Sequence, residues 1–273
     1  MEWFKKRGIE LHAEKDGRMF PTSNKSTTII DCFTKEAARL GVELKLGQKI
    51  TEIKREENGF TLSFLREEDL HTDKLILATG SSPSGHDFAQ KLGHKIIDPV
   101  PSLFTFNIKH PLLSEMMGQS FEKVQLDLSF QKDLKLKKYK QTGPLLITHW
   151  GLSGPAVLKL SAFGARELFT TKYKARLKTN FLSEKNSDQA LRELEEHKNK
   201  NLKGLISKSH PFSLTKRFWN KVLETQGIKE MKTWQEVSKK DLQKISLTLT
   251  ETAFDIKGKG VFKEEFVTAG GVC

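Results

Sequence analysis

Two small-residue turns, one histidine and one arginine mark the places where this sequence is suited to chemistry. Ala78-Thr79-Gly80 closes an apolar run that begins at Leu75, and Thr268-Ala269-Gly270-Gly271-Val272 supplies a second such turn near the other end of the chain. Glycine lets a backbone approach a ligand closely because it has no Cβ. His149 stands before a third turn, Gly151-Leu152-Ser153-Gly154. Imidazole titrates near neutrality, so His149 either shuttles a proton or satisfies the turn. Arg18 lies in Gly17-Arg18-Met19-Phe20-Pro21. It is either half of a surface ion pair or a cation held beside an anionic group in a constrained loop.

Other chemistries find no support. Gly151-Leu152-Ser153-Gly154 lacks the spacing of a GxSxG nucleophile elbow. No His, Cys, Asp or Glu cluster has metal-ligand spacing, so no metal is expected. Cys32 and Cys273 form no CxxC pair, and no run is apolar and long enough to span a bilayer. Met1-Glu2-Trp3-Phe4-Lys5-Lys6-Arg7 does not resemble a signal peptide, so a reduced cytoplasm is the expected setting. The net charge of +12 permits nucleic-acid binding. However, the lysines are spread along the chain, and the densest patch, Lys132–Lys140, has few aromatic partners. That patch is expected to be a solvated edge, and the expected partner is a small molecule, with no membrane and no nucleic acid. The sequence does not fix the oligomeric state.

The elements that must position these residues follow from periodicity. A helix is expected from Lys25 to Leu40, capped by Ser23 or Asn24 and ended by Gly41. Val42–Leu46, Lys49–Arg55 and Phe60–Leu65 alternate as strands, with Asn58-Gly59 as a hairpin turn between the last two. Leu70–Leu77 reads as a further, buried strand. Phe88–Leu92 is a short helix closed by Gly93, and a linker follows through Pro99 and Pro101. Leu103 to about Phe181 is mostly β, Ser187 to about Leu242 is helical, and residues 245–257 return to β. The expected fold class is α/β (α+β overall). Its α/β ends are interrupted by an inserted β-plus-helical module.

The motifs resemble one family in order. Gly17-Arg18-Met19-Phe20-Pro21 is similar to the GR-x-FP segment of the HI0933-like (YhiN-type) flavoproteins. Leu92-Gly93-His94 and Val100-Pro101-Ser102-Leu103 resemble the segments that follow their ATG turn. Thr148-His149-Trp150-Gly151-Leu152-Ser153-Gly154-Pro155-Ala156 resembles their TH-x-GLSGPA signature, and Val267–Val272 resembles VTAGGV. The resemblance implies a partial two-dinucleotide-binding-fold FAD domain, residues 1–102 and 262–273, interrupted by a barrel and helical domain over 103–261. It implies an oxidoreductase in which flavin passes hydride to or from an unidentified small molecule, with use of NAD(P)H left open. It assigns cofactor contacts to Ile50, Ala78, Thr79, Gly80, Thr268, Gly270, Gly271 and Val272. The flavin ring would be approached by the Arg18–Thr22 loop, the Gly151–Pro155 turn and the Thr268–Val272 turn. Arg18 would lie near the flavin N1–C2=O edge, where negative charge develops on reduction. No GxGxxG occurs in the sequence. The resemblance therefore implies that the pyrophosphate loop and a closing segment lie beyond both ends of this chain, which would hold FAD poorly by itself. The alternatives are a non-functional fragment or a basic RNA-binding module.

Overall fold

The computed structural model describes residues 1–14, 17–130, 138–260 and 267–273. The chain divides into two compact units, Met1–Ile76 and Leu77–Cys273. Asp16, most of the Lys132–Lys140 patch and the boundary expected at residue 261 lie outside the described residues.

The first unit starts with a short helix, α1 (Glu2–Lys5), and an antiparallel hairpin, β1 (Leu11–Ala13) with β2 (Met19–Pro21). Helix α2 (Ser26–Arg39) follows, and Gly41 ends it at φ +72°. Its N-cap is Lys25, which makes no side-chain cap. Ser23 hydrogen-bonds the Thr28 hydroxyl instead, at 2.6 Å, and does not serve as the expected cap. A three-stranded antiparallel meander completes the unit: β3 (Ile50–Glu56), β4 (Gly59–Phe64) and β5 (Leu70–Thr72). Its hairpin pairs Glu56 with Gly59, so the two-residue loop is Glu57-Asn58, one residue earlier than expected.

Of the strands expected in this region, one is absent and one is cut short, Leu70–Leu77 being a strand only over Leu70–Thr72. Val42–Leu46 alternates in sequence, yet Val42, Leu44 and Leu46 are all exposed and unpaired among the described residues. Leu75–Leu77, expected to be buried, is irregular, and Ile76 is 89% exposed. A strand exists only through a partner's hydrogen bonds, and no strand among the described residues supplies them here.

The second unit opens with α3 (Pro83–Lys91), longer than expected because Pro83 starts it at N1. The stretch read as a proline linker is a strand, β6 (Ile96–Pro101), paired antiparallel with β14 (Thr268–Val272). A two-stranded ladder has free outer edges, so Pro99 and Pro101 cost no interior hydrogen bond.

The main sheet is built from β7 (Phe106–Asn107), β8 (Ser120–Ser129), β9 (Tyr139–Thr148), β10 (Gly151–Ser153), β11 (Ala175–Asn180), β12 (Thr252–Ile256) and β13 (Gly258–Lys259). All its pairs are antiparallel, in the order β12-β11-β8-β9-β10-β7-β13. The two outer strands are separated in the chain only by Lys257, so the sheet curls until its ends meet, as a barrel requires. Alternate residues fill its interior: Val124, Leu126 and Leu128 on β8, Leu177 on β11, Phe254 and Ile256 on β12.

Helices α4 (Pro155–Phe163) and α5 (Ala165–Thr170) interrupt the stretch expected to be β. Gly154-Pro155 is a helix-start signal, and Ala156, Val157 and Leu160 bury one side of α4. The helical module has α6 (Ser187–Lys200), α7 (Lys216–Thr225) and α8 (Lys239–Glu251). Leu202, Leu205 and Ile206, expected on a helix, lie in the connection after α6. Ile245–Thr250 alternates like a strand but belongs to α8. A Ser238–Asp241 capping box starts that helix, and Leu242, Ile245 and Leu249 bury its inner face. The fold is mixed α/β, α+β overall, with the barrel and helical module expected.

Candidate functional site

Residues far apart in sequence meet at the β6–β14 ladder. Ala78, Thr79 and Gly80 line an open cleft of about 390 Å3 together with Thr268, Gly270, Gly271 and Val272. Leu77, Ser81, Gly85, His86 and Val267 complete the wall. Among the described residues no Asp, Glu, Lys or Arg lines it.

Local rules explain why the backbone comes so close here. Gly80, Gly270 and Gly271 adopt φ of +60°, +125° and +116°, a region that side chains rarely enter. A Cβ on Gly270 would fall 2.6 Å from Arg166 Nη2 and 2.7 Å from the Ile97 carbonyl. The ladder register shifts between Ala269 and Gly271, a bulge that turns the backbone there. Thr79 packs directly on Gly85 in the first turn of α3, where a Cβ would collide with its hydroxyl. Arg166, on α5, donates to the Asp98 carbonyl at 2.6 Å and to the Ala269 carbonyl at 3.0 Å, tying both strands of the ladder together. Past the bulge, the Ser102 N–H donates to the Val267 carbonyl at 3.0 Å.

His86 and Arg166 were not singled out in the sequence. His86 reads there as part of a loop, and only the helix start at Pro83 brings it into the cleft. Arg166 carries no local signal, because its role depends on strands remote from it in the chain.

His149 is placed elsewhere. With Trp150 it forms the two-residue tip between β9 and β10, and it lines a second cleft of about 450 Å3 with Lys109, His110, Ser114 and Thr148. That cleft shares no lining residue with the first. His110 Nδ1 accepts from the Leu112 N–H at 3.2 Å, and its ring sits edge-on to Phe254 at 4.9 Å. Burial holds His110 below the usual imidazole range, against a smaller opposing pull from Asp255.

Arg18 and Ile50 belong to the first unit. Arg18 is exposed, paired with Glu14 at 2.7 Å, and its guanidinium lies 5.8 Å from the Phe20 ring centre. Ile50 opens β3 opposite Phe64. Neither residue lines either cleft. Among the described residues no His, Cys, Asp and Glu group could hold a metal ion, and no helix is long and apolar enough to cross a membrane.

The fold and cleft define a mixed α/β protein in which a barrel and helical module stand beside a glycine-lined ladder. A model of the HI0933-like protein barrel and H2TH domain matches residues 100–267, and the chain belongs to that family. It is 26% identical to the ribosomal RNA dihydrouridine synthase of Escherichia coli, over 98% of this chain and 64% of that protein. It is 23% identical to the 3-dehydro-bile acid delta(4,6)-reductase of Clostridium scindens, over 100% of this chain and 67% of that protein. It is 26% identical to the ribosomal RNA dihydrouridine synthase of Haemophilus influenzae, over 58% of this chain and 40% of that protein.

Proposed function

We propose that this chain is part of an FAD-dependent oxidoreductase that reduces a carbon–carbon double bond conjugated to a carbonyl. One observation carries the reading: the two glycine turns assigned to the cofactor by resemblance close on a single cleft. Its walls suit part of a flavin dinucleotide. They are small, uncharged and largely backbone, and at Gly270 there is no room for a side chain. Ala78–Gly80 and Thr268–Val272 would hold the group, and FAD bound there would supply two-electron hydride chemistry. We assign residues 1–102 and 262–273 to the cofactor domain, with 103–261 inserted.

The names of two relatives support the reaction class. Dihydrouridine is uridine with one ring double bond saturated, and a delta(4,6)-reductase removes a ring double bond. Saturating a polarised double bond takes a hydride at one carbon and a proton at the other. His86 lines the cleft, and an imidazole can both donate and accept a proton. We assign it to hold that proton, with the imidazole recharged from solvent. His149, at the rim of the other cleft, is free to contact substrate there.

The test is anaerobic. Flavin-loaded protein is reduced and mixed with an unsaturated 3-ketosteroid or with a uridine-containing RNA. Reoxidation of the flavin with matching loss of the double bond is expected for one of them. Flavin that stays reduced with both sinks the reading. His86→Ala should slow reoxidation about a hundredfold, a usual contribution of a positioned acid, with flavin content unchanged.

A further inference from the structure

The connection between α6 and α7 carries charge that the reductase reading leaves unused. From His197 to Leu223 there are seven Lys or Arg residues and no Asp or Glu. The chain has 34 acidic residues in 273, so a stretch of this length would ordinarily carry about three. Some of these cations have structural work. Lys198 donates to the Val237 carbonyl, Lys221 pairs with Glu224 at 3.0 Å, and Arg217 donates to the carbonyls of Glu115 and Met117. Lys200, Lys203, Lys208 and Lys216 are exposed and make no ion pair among the described residues.

The backbone that presents three of them is fixed. His197 Nε2 and Ser209 Oγ are 3.0 Å apart, so the connection folds back on the end of α6, the helix that carries Lys200 in its last turn. Trp234 Nε1 donates to Ser209 Oγ at 3.3 Å, Trp219 Nε1 donates to the Ile206 carbonyl at 2.7 Å, and the Trp234 N–H donates to the Gly204 carbonyl at 2.8 Å. Both indoles are fully buried. The helix dipole accounts for a cation at Lys200, in the last turn of α6. It does not account for Lys203 or Lys208, and it disfavours Lys216 in the first turn of α7. Cations that outnumber the neighbouring carboxylates Glu193, Glu195, Glu196, Glu224 and Glu230 carry self-repulsion, which a polyanion relieves.

We propose that this face of the helical module binds the phosphate backbone of RNA. A lipid surface fits less well, because the cations sit on an irregular loop pinned by buried indoles, not on a helix with an apolar face to insert. A relative named for action on ribosomal RNA aligns over 98% of this chain, this segment included. The expectation of no nucleic acid rested on lysines spread along the chain and on the sparse aromatic partners of Lys132–Lys140, a different part of the chain. RNA as the carrier of the reducible base rests on the reductase reading; the binding itself needs no flavin.

The experiment is fluorescence anisotropy of the whole chain with a labelled mixed-sequence single-stranded RNA, across a salt series. K200A/K203A/K208A should weaken binding about tenfold and flatten the log–log salt slope by about two, since each neutralised phosphate contributes roughly 0.7 in single strands. A control of equal charge, K49A/K74A/K91A, should leave both nearly unchanged. Equal losses in the two variants reduce the effect to net charge and overturn the proposal. So does an unchanged first variant, or binding to phosphatidylglycerol vesicles with none to RNA. Neither arm uses turnover, so a chain that binds RNA but reduces nothing refutes only the reductase reading.

Discussion

Gly270 is where one methyl group decides whether the cleft keeps its shape. Its φ of +125° is strained for any L side chain, and the Cβ would also press on Arg166 and on the Ile97 and Asp98 carbonyls. Both effects act on the same ladder. Gly270→Ala should cost about 1–3 kcal/mol from the backbone conformation alone. In a domain of this size that is a fall in Tm of several degrees, roughly 2–4 °C for each kcal/mol. Flavin affinity should fall with it. Calorimetry and a fluorescence titration with FAD measure the two, and an unchanged Tm would contradict the geometry. Arg166→Ala removes two hydrogen bonds from an exposed guanidinium without straining the backbone. Its effect should be milder, about 1 kcal/mol.

At the scale of elements, charge ties the turn after α1 to α2. Arg39 and Arg7 both donate to the Glu36 carboxylate, and these hydrogen bonds draw its pKa from 4.5 to about 2. The folded pKa is depressed, so the stabilisation is fully present above the unfolded value and is lost as pH falls from 4.5 through about 2. Glu36→Gln should therefore speed hydrogen exchange in α2 at neutral pH, and the difference should vanish by about pH 2. A constant difference across that range would show that the ion pairs are not its source. How far such elements can be read from sequence depends on where their stabilising partners lie. The meander and α2 were legible because their signals are local: period-two alternation in β3 and β4, and Gly41 at the helix end. Ile245–Thr250 misled because alternation over six residues fits a strand as well as it fits one buried stripe of α8. Val42–Leu46 and Leu75–Leu77 misled differently. Their composition suits strands, but pairing is a property of neighbours that these residues do not encode. The turns at Ala78–Gly80 and Thr268–Val272 were legible as glycine patterns, whereas Arg166 and His86 became visible only once β6 lay beside β14.

For the molecule as a whole, acidification should act on the two units through different groups. Three histidines of the second unit are held below the ordinary imidazole value of 6.5, and burial is the first cause for each. His110 also feels Asp255, which opposes the shift, whereas Lys200 reinforces it at His197. At His210 the Phe212 backbone opposes the shift and His197 adds to it. A base whose folded pKa is depressed stays neutral in the native state while the unfolded chain takes up protons. Stability is therefore untouched above the unfolded value and is lost as pH falls below it. The second unit should begin to weaken once pH falls below about 6.5, well before Glu36 begins to fail in the first. His210 gives the cleanest handle. Its ring stacks on Trp219 at 4.7 Å, and its buried Nδ1 has no hydrogen-bond partner among the described residues. His210→Phe keeps the stack and removes the titrating group. The variant should lose less stability than the parent on acidification, measured by urea unfolding followed through tryptophan fluorescence. If both weaken in parallel, the buried imidazole at 210 does not drive the pH response, and His110 and His197 must carry it.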